Sequence, residues 1–311
     1  MLSRLIVTLA TVTVICASVH VIEAQEIIEE ALQALPAQTQ HLEYSSLAKL
    51  RELPGYEALQ QRYLGAPLRD LQKSLAKLGI MDTDVDELVL GWGSLNEQGR
   101  GGGSALYGLA LGRFTAEEIA KVATVNSVKS TRIGHLDAYC VGRQNEICVA
   151  LVADSLGAFG SPQVLLEIMA ARSGAVQGLG SKPDFATLVS EAKFEAPIWG
   201  VTERPALAGW LSAAMPGMNK VPFDWSQLFA GVTNLIYSVD LGDKPHLEMQ
   251  FKCMSESAAN SFYQLLDSLR ILQRMTWQAR NPDLPNPLKG MELHSSGDRV
   301  ELRLDVAVSA N

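Results

Sequence analysis

The chain has 311 residues, 34 acidic against 26 basic, for a formal net charge of -8 at neutral pH. Hydrophobic residues make up 47% and charged residues 19%, ample apolar material for a packed core, which excludes a disordered chain. The acidic balance, with Lys and Arg scattered singly, argues against nucleic acid and anionic membrane surfaces as partners.

Residues 1–24 read as an export signal. Arg4 supplies the positive start, residues 5–22 an apolar stretch, and Ala24 a small residue before a cut at Gln25. Thr8, Thr11, Thr13, Ser18 and His20 dilute the stretch, which makes it a poor spanning helix. Left uncleaved, residues 5–22 would tether the protein to the inner membrane. The expected setting is the periplasm or the exterior. It admits a disulfide between Cys140 and Cys148, which flank a predicted turn; two buried thiols packing as small hydrophobes are the alternative. Cys253 reads as a buried strand residue.

Residues 25–79 read as an N-terminal helical segment, broken by Pro36 and by Pro54-Gly55. The segment closes on a clearer helix, with Leu68, Leu71, Leu75 and Leu78 at three- and four-residue spacing. Two strands follow, over 85–92 and 105–114. In the second, Gly108, Ala110 and Gly112 share one face and predict close approach of the next helix backbone. That helix opens on Thr115 with Glu118 three residues on, a capping box. A hairpin (136–141 with 147–153) and a helix opened by Ser161-Pro162 complete the first half.

The second half repeats the order. It reads as a strand over 196–201, a helix over 205–214, a hairpin (235–241 with 247–254) and a long helix over 255–275. Ala258, Phe262, Leu265, Leu266, Leu269 and Leu272 carry the amphipathic spacing of that last helix. A closing hairpin, 290–294 with 300–306, turns at Ser296-Gly297-Asp298. The pattern predicts an α+β protein of two diverged ferredoxin-like βαββα(β) units, over 80–175 and 184–311. Each is expected to be an antiparallel sheet with helices on one face, with the Gly- and Ser-rich residues 174–183 as linker.

Local chemistry is sparse. Asp82-Thr-Asp-Val-Asp-Glu resembles the start of a calcium loop, but Glu87 stands where the loop needs glycine and Gly93 where it needs a closing glutamate. Ser46-Leu-Ala-Lys49 and Ser74-Leu-Ala-Lys77 match the Ser-x-x-Lys pattern of acyl-serine enzymes without its partner motifs. His41, His135, His246 and His294 stand apart, with no metal-ligand spacing. No catalytic, cofactor-binding or metal residue is assigned. Trp225, in a long connection after Pro222-Phe-Asp, is the candidate contact surface.

The signal, the Gly-Ile-x-Asp-x-Asp-Val-Asp run at 79–86, Leu111-Gly-Arg-Phe114 and Pro197-Ile-Trp-Gly-Val201 together resemble an uncharacterised family of exported bacterial proteins of similar length. The resemblance implies no activity. The expectation is an exported, non-enzymatic envelope protein that binds a protein partner or an apolar ligand. The alternatives are a hydrolase whose site assembles in space from Asp82, Asp84, Asp86, Arg113 and His135, or a periplasmic lipid carrier.

Overall fold

A computed structural model of the chain describes residues 25–54, 56, 66–93, 106–141, 147–207, 229–242, 245–280, 286 and 289–305. The signal segment, Trp225 and most of the helix expected over 205–214 lie outside them.

Residues 25–34 form helix α1, which buries Ile27, Ile28, Ala31 and Ala34 at helical spacing. Strand β1 (Thr39–Ser46) comes next, then α2 (Leu47–Arg51) and α3 (Ala66–Ala76). The middle of the chain contains β2 (Val85–Gly93), β3 (Tyr107–Gly112), α4 (Ala116–Val125), β4 (Ser130–Ile133) and β5 (Leu136–Val141). It continues with β6 (Ile147–Ala153), β7 (Leu156–Gly160), α5 (Pro162–Arg172) and α6 (Pro183–Ser190). The last part holds β8 (Ile198–Glu203), β9 (Val232–Asp240), β10 (His246–Cys253), α7 (Glu256–Arg280), β11 (Met291–Ser296) and β12 (Arg299–Asp305). Caps start the helices where expected. Thr115 accepts from the Glu118 amide at 3.3 Å and donates to its carboxylate at 2.8 Å, while Ser161 caps α5 with Pro162 in its first turn.

The described strands form one sheet in the order β11-β12-β10-β9-β8-β1-β2-β3-β7-β6-β5-β4, every neighbouring pair antiparallel. The protein is therefore α+β with an antiparallel sheet. Helices cover both faces rather than one. On one face α1, α5 and α6 pack against Leu42, Tyr44, Leu109, Ala158 and Val201. On the other, α4 covers Leu90, Ala110 and Phe159, and α7 covers Leu235, Phe251 and Val300, with Trp92 packed between the two clusters. Two-sided cover follows from strands apolar throughout, such as β7, all five of whose residues are buried.

Several expectations require correction. The segment 25–79 is not helical throughout: β1 lies within it and occupies the middle of the sheet. Its sequence, Thr-Gln-His-Leu-Glu-Tyr-Ser-Ser, is too polar to read as an inner strand. Strands β4 and β7 are additional to the predicted set. A β-carbon at Gly108 or Gly112 would meet first not the next helix's backbone but the Val89 and Asp84 carbonyl oxygens, and then aromatic rings. The rings are Phe159, 2.8 Å from a β-carbon at Gly108, and Phe114, 2.9 Å from one at Gly112. Residues 174–183 are packed rather than free: Leu179 is fully buried, its amide donates to the Leu35 carbonyl at 2.8 Å, and Gly178 bridges to Pro36.

Candidate functional site

The least expected chemistry lies on β1, where polar side chains occupy the centre of the sheet. His41 is fully buried; its ring stacks on Trp92 of β2 at 3.6 Å, and its Nδ1 is 2.6 Å from the Thr202 hydroxyl on β8. Burial holds the His41 imidazole well below its ordinary value of 6.5, because a charged ring would lack hydration there. Two residues on, Glu43 accepts a hydrogen bond from the Tyr237 hydroxyl. Burial raises the Glu43 carboxyl above its usual range, and the tyrosine bond offsets part of the rise.

Reaching Glu43 requires the Tyr237 side chain to cross β8 from β9. Gly200 permits it: a β-carbon there would sit 2.5 Å from the Tyr237 oxygen. The opposite face repeats the device. Tyr107 of β3 crosses Gly91 of β2 to meet the Thr39 hydroxyl at 2.7 Å, and Thr39 passes its own proton to the Pro36 carbonyl at 2.6 Å. Burial pushes the Tyr107 phenol up to about 12, so it stays a donor. On that same face Tyr44 donates to Glu87 at 3.0 Å. These groups are closed over by packing and hydrogen-bonded to one another, the arrangement of a network that sets strand register.

The acidic run at 82–86 is bound internally by arginine. The Arg51 guanidinium donates to the Asp82 and Val85 carbonyls and to the Asp86 carboxylate, each at 2.7 Å, and Arg113 adds an ion pair to Asp86 at 3.6 Å. Asp84 accepts from the Met81 amide at 2.9 Å. Of the carboxylates that a calcium ion would need, Asp86 is already held by arginine and Asp84 by a backbone amide. Asp86 and Arg113 are thus brought together, whereas His135 lies elsewhere, on the turn from β4 to β5. There it lines a cleft of 270 Å³ beside the Arg172–Glu30 ion pair. Ser46 caps α2 by accepting from the Lys49 amide, and the Lys49 amine donates to the Glu195 carbonyl, so this Ser-x-x-Lys pair performs structural work. No group of three or more potential metal ligands occurs among the described residues.

Cys140 and Cys148 are direct cross-strand partners on β5 and β6 and are joined by a disulfide; Cys253 is a buried free thiol.

The remaining surface feature is α7. Its N-terminal half packs inward through Ala259 and Phe262, and Phe262 meets the Phe251 ring at 5.0 Å. Its C-terminal half exposes Leu269, Ile271, Leu272 and Met275, the last two at 61% and 66% exposure. At about 100° per residue these four fall on one outward arc. Between 268 and 280 the charged residues are Arg270, Arg274 and Arg280, all positive.

No protein-family model and no curated protein matches the chain. Among solved structures, it resembles TP0453, a Treponema protein. With crystal form III of TP0453 it shares 10% identity at a TM-score of 0.50, over 89% of this chain and 93% of that one. Crystal form I gives 10% identity and a TM-score of 0.49, over 90% and 93%. The likeness is one of fold, and it extends across nearly the whole of both chains. No helix among the described residues is long and apolar enough to cross a membrane.

The sequence did not mark β1 as a site-bearing strand. The signal for its partners was present, however, in Gly91 and Gly200, glycines inside strands that otherwise carry bulky residues.

Proposed function

We propose that this chain is an exported, non-enzymatic envelope protein that works by binding an apolar surface. The contact is the outward face of α7, and its partner is a lipid layer bearing anionic headgroups. The observation that carries this reading is the shared exposure of Leu269, Ile271, Leu272 and Met275 on one helical arc. A patch of that kind has a standing cost in water and marks a contact surface. The lipid assignment rests on local charge, against the acidic balance of the whole chain: Arg270 pairs with Asp267 at 2.6 Å, and from 268 to 280 Arg274 and Arg280 add two further cations and no acid. An apolar arc bordered by cations is the pattern of a helix lying in a headgroup layer. The opposing flank of α7 stays bound to the sheet, so the helix seats the whole domain on the layer. Trp225, the contact residue expected from sequence, lies outside the described residues.

Flotation of the exported protein with vesicles tests the reading. Wild type is expected to float with phosphatidylglycerol-containing vesicles and more weakly with pure phosphatidylcholine. Replacing Leu272→Ser and Met275→Ser together should lower binding at least about 10-fold, since burying each side chain is worth roughly 1.5–3 kcal/mol. Both residues are exposed, so the melting temperature should hold. Failure of the wild type to float, or unchanged flotation by the variant, overturns the proposal. A solution dimer dissolved by the same substitutions would overturn it in favour of a second copy.

A further inference from the structure

We infer that β11, a terminal strand of the sheet, pairs antiparallel with β11 of a second copy of this chain, in a register centred on Leu293. The sheet ends in two strands, β11 and β4, and they differ. β4 has four residues and carries the exposed Arg132, the usual blunting of an edge by shortness and charge. β11 has six residues, contains no Lys, Arg or Pro, and pairs with β12 over its whole length without a bulge. Glu292, His294, Ser295 and Ser296 are exposed along it. A regular edge strand of that kind is a template for another strand, through the backbone donors and acceptors of its outer side.

The sequence Met-Glu-Leu-His-Ser-Ser selects both the partner and the register. Met291 and Leu293 pack towards α7, so Glu292, His294 and Ser296 lie on the opposite face. Residues directly opposite in an antiparallel pair share a face. Two copies with their apolar faces on one side therefore join only where odd-numbered residues meet odd and even meet even. Centring on Glu292 would oppose that carboxylate to its own copy, and centring on His294 would do the same to the imidazole. Centring on Leu293 instead sets Glu292 opposite His294 of the second copy, twice over by symmetry, and these two side chains already approach to 3.9 Å within one chain. Acid and base then alternate across the seam. Glu248 lies opposite Arg303 and Arg303 opposite Glu292, and the row continues to His294 and Glu301 of the second copy. On the other face Leu293 meets its own copy. The twofold axis stands perpendicular to the joined sheet, so both α7 helices lie on one side of it.

Sedimentation equilibrium of the exported protein tests this, separately from the α7 reading. A monomer–dimer equilibrium is expected at micromolar protein. Glu292→Lys sets a cation against His294 of the second copy and should weaken the dimer at least about 5-fold, whereas His294→Lys should tighten it about 3-fold. Both side chains are exposed, so the melting temperature should hold. Leu272→Ser with Met275→Ser should leave the dimer intact; its loss in that variant assigns the contact to α7 and overturns the inference. A spin label at Ser296→Cys reads the register, since the free thiol of Cys253 is buried. The two α-carbons at position 296 fall about 20 Å apart, six residues at roughly 3.4 Å rise and one strand spacing. A label-to-label distance centred between about 20 and 30 Å supports the pairing, and one centred beyond about 35 Å overturns it. A protein that stays monomeric, or a dimer indifferent to both lysine substitutions, overturns it as well.

Discussion

Glu43 and His41 are next neighbours on one face of β1, yet burial shifts their titration to opposite effect. The Glu43 carboxyl is raised above 4.5, so as pH climbs past 4.5 the unfolded chain ionises first and stability is lost until the folded carboxyl ionises too. The His41 imidazole is depressed below 6.5, so as pH falls past 6.5 the unfolded chain takes up the proton first and stability is lost on the acid side. Glu43→Gln should therefore raise the melting temperature by a few degrees at pH 7, with the gain vanishing below about pH 4.5. His41→Gln should flatten the decline that wild type shows below pH 6.5. Melting curves from pH 4 to 8 check both, and a constant offset for Glu43→Gln across that range would refute its assignment. Trp199 differs in kind: fully buried beside Tyr44 at 5.6 Å, its indole nitrogen has no hydrogen-bond partner among the described residues, so its role there is one of volume.

Among the elements, the turn at 82–86 shows how an apparent ion site becomes a structural clasp. Arg51 of α2 ties α2 to the start of β2 through two carbonyls and one carboxylate, with its side chain 20% exposed. Removing it as Arg51→Ala should destabilise the fold by about 2 kcal/mol in urea unfolding, the scale of charge-assisted bonds left unmade. Arg51→Lys should recover only part, because an ammonium lacks the planar fork. Rescue of Arg51→Ala by added calcium would reverse this view of the turn. The elements that were legible in sequence were those with local punctuation. Thr115 with Glu118, Ser161-Pro162 and Ser296-Gly297-Asp298 mark α4, α5 and the last hairpin by hydrogen bonds that close within a few residues. Strand β4 eluded prediction because it is a short edge strand with three of four residues exposed. For β1, the His41 ring and the Thr39 hydroxyl meet partners on β8 and β3 that local sequence does not specify.

At the scale of the molecule, the segments 80–175 and 184–311 contribute to one sheet and are joined in it by β1. β1 pairs with β2 on one side and with β8 on the other, and the hydrogen bonds of Tyr107 and Tyr237 converge on it from both sides. Unfolding either half would strip β1 of a neighbour and expose buried polar groups. The described sheet is therefore expected to melt in a single calorimetric transition with equal calorimetric and van't Hoff enthalpies. Two resolved transitions would favour independent units. The sequence by itself determined the α+β class, the antiparallel hairpins, the caps and the pairing of Cys140 opposite Cys148, because each depends on periodicity or on contacts a few residues long. Only the tertiary structure decided that helices cover both faces and that β1 lies at the centre. It alone joined Arg51 to the acidic turn and left the α7 arc uncovered. Those outcomes depend on which segments meet across long separations, and a hydrophobic pattern records only that a residue is buried, not what it is buried against.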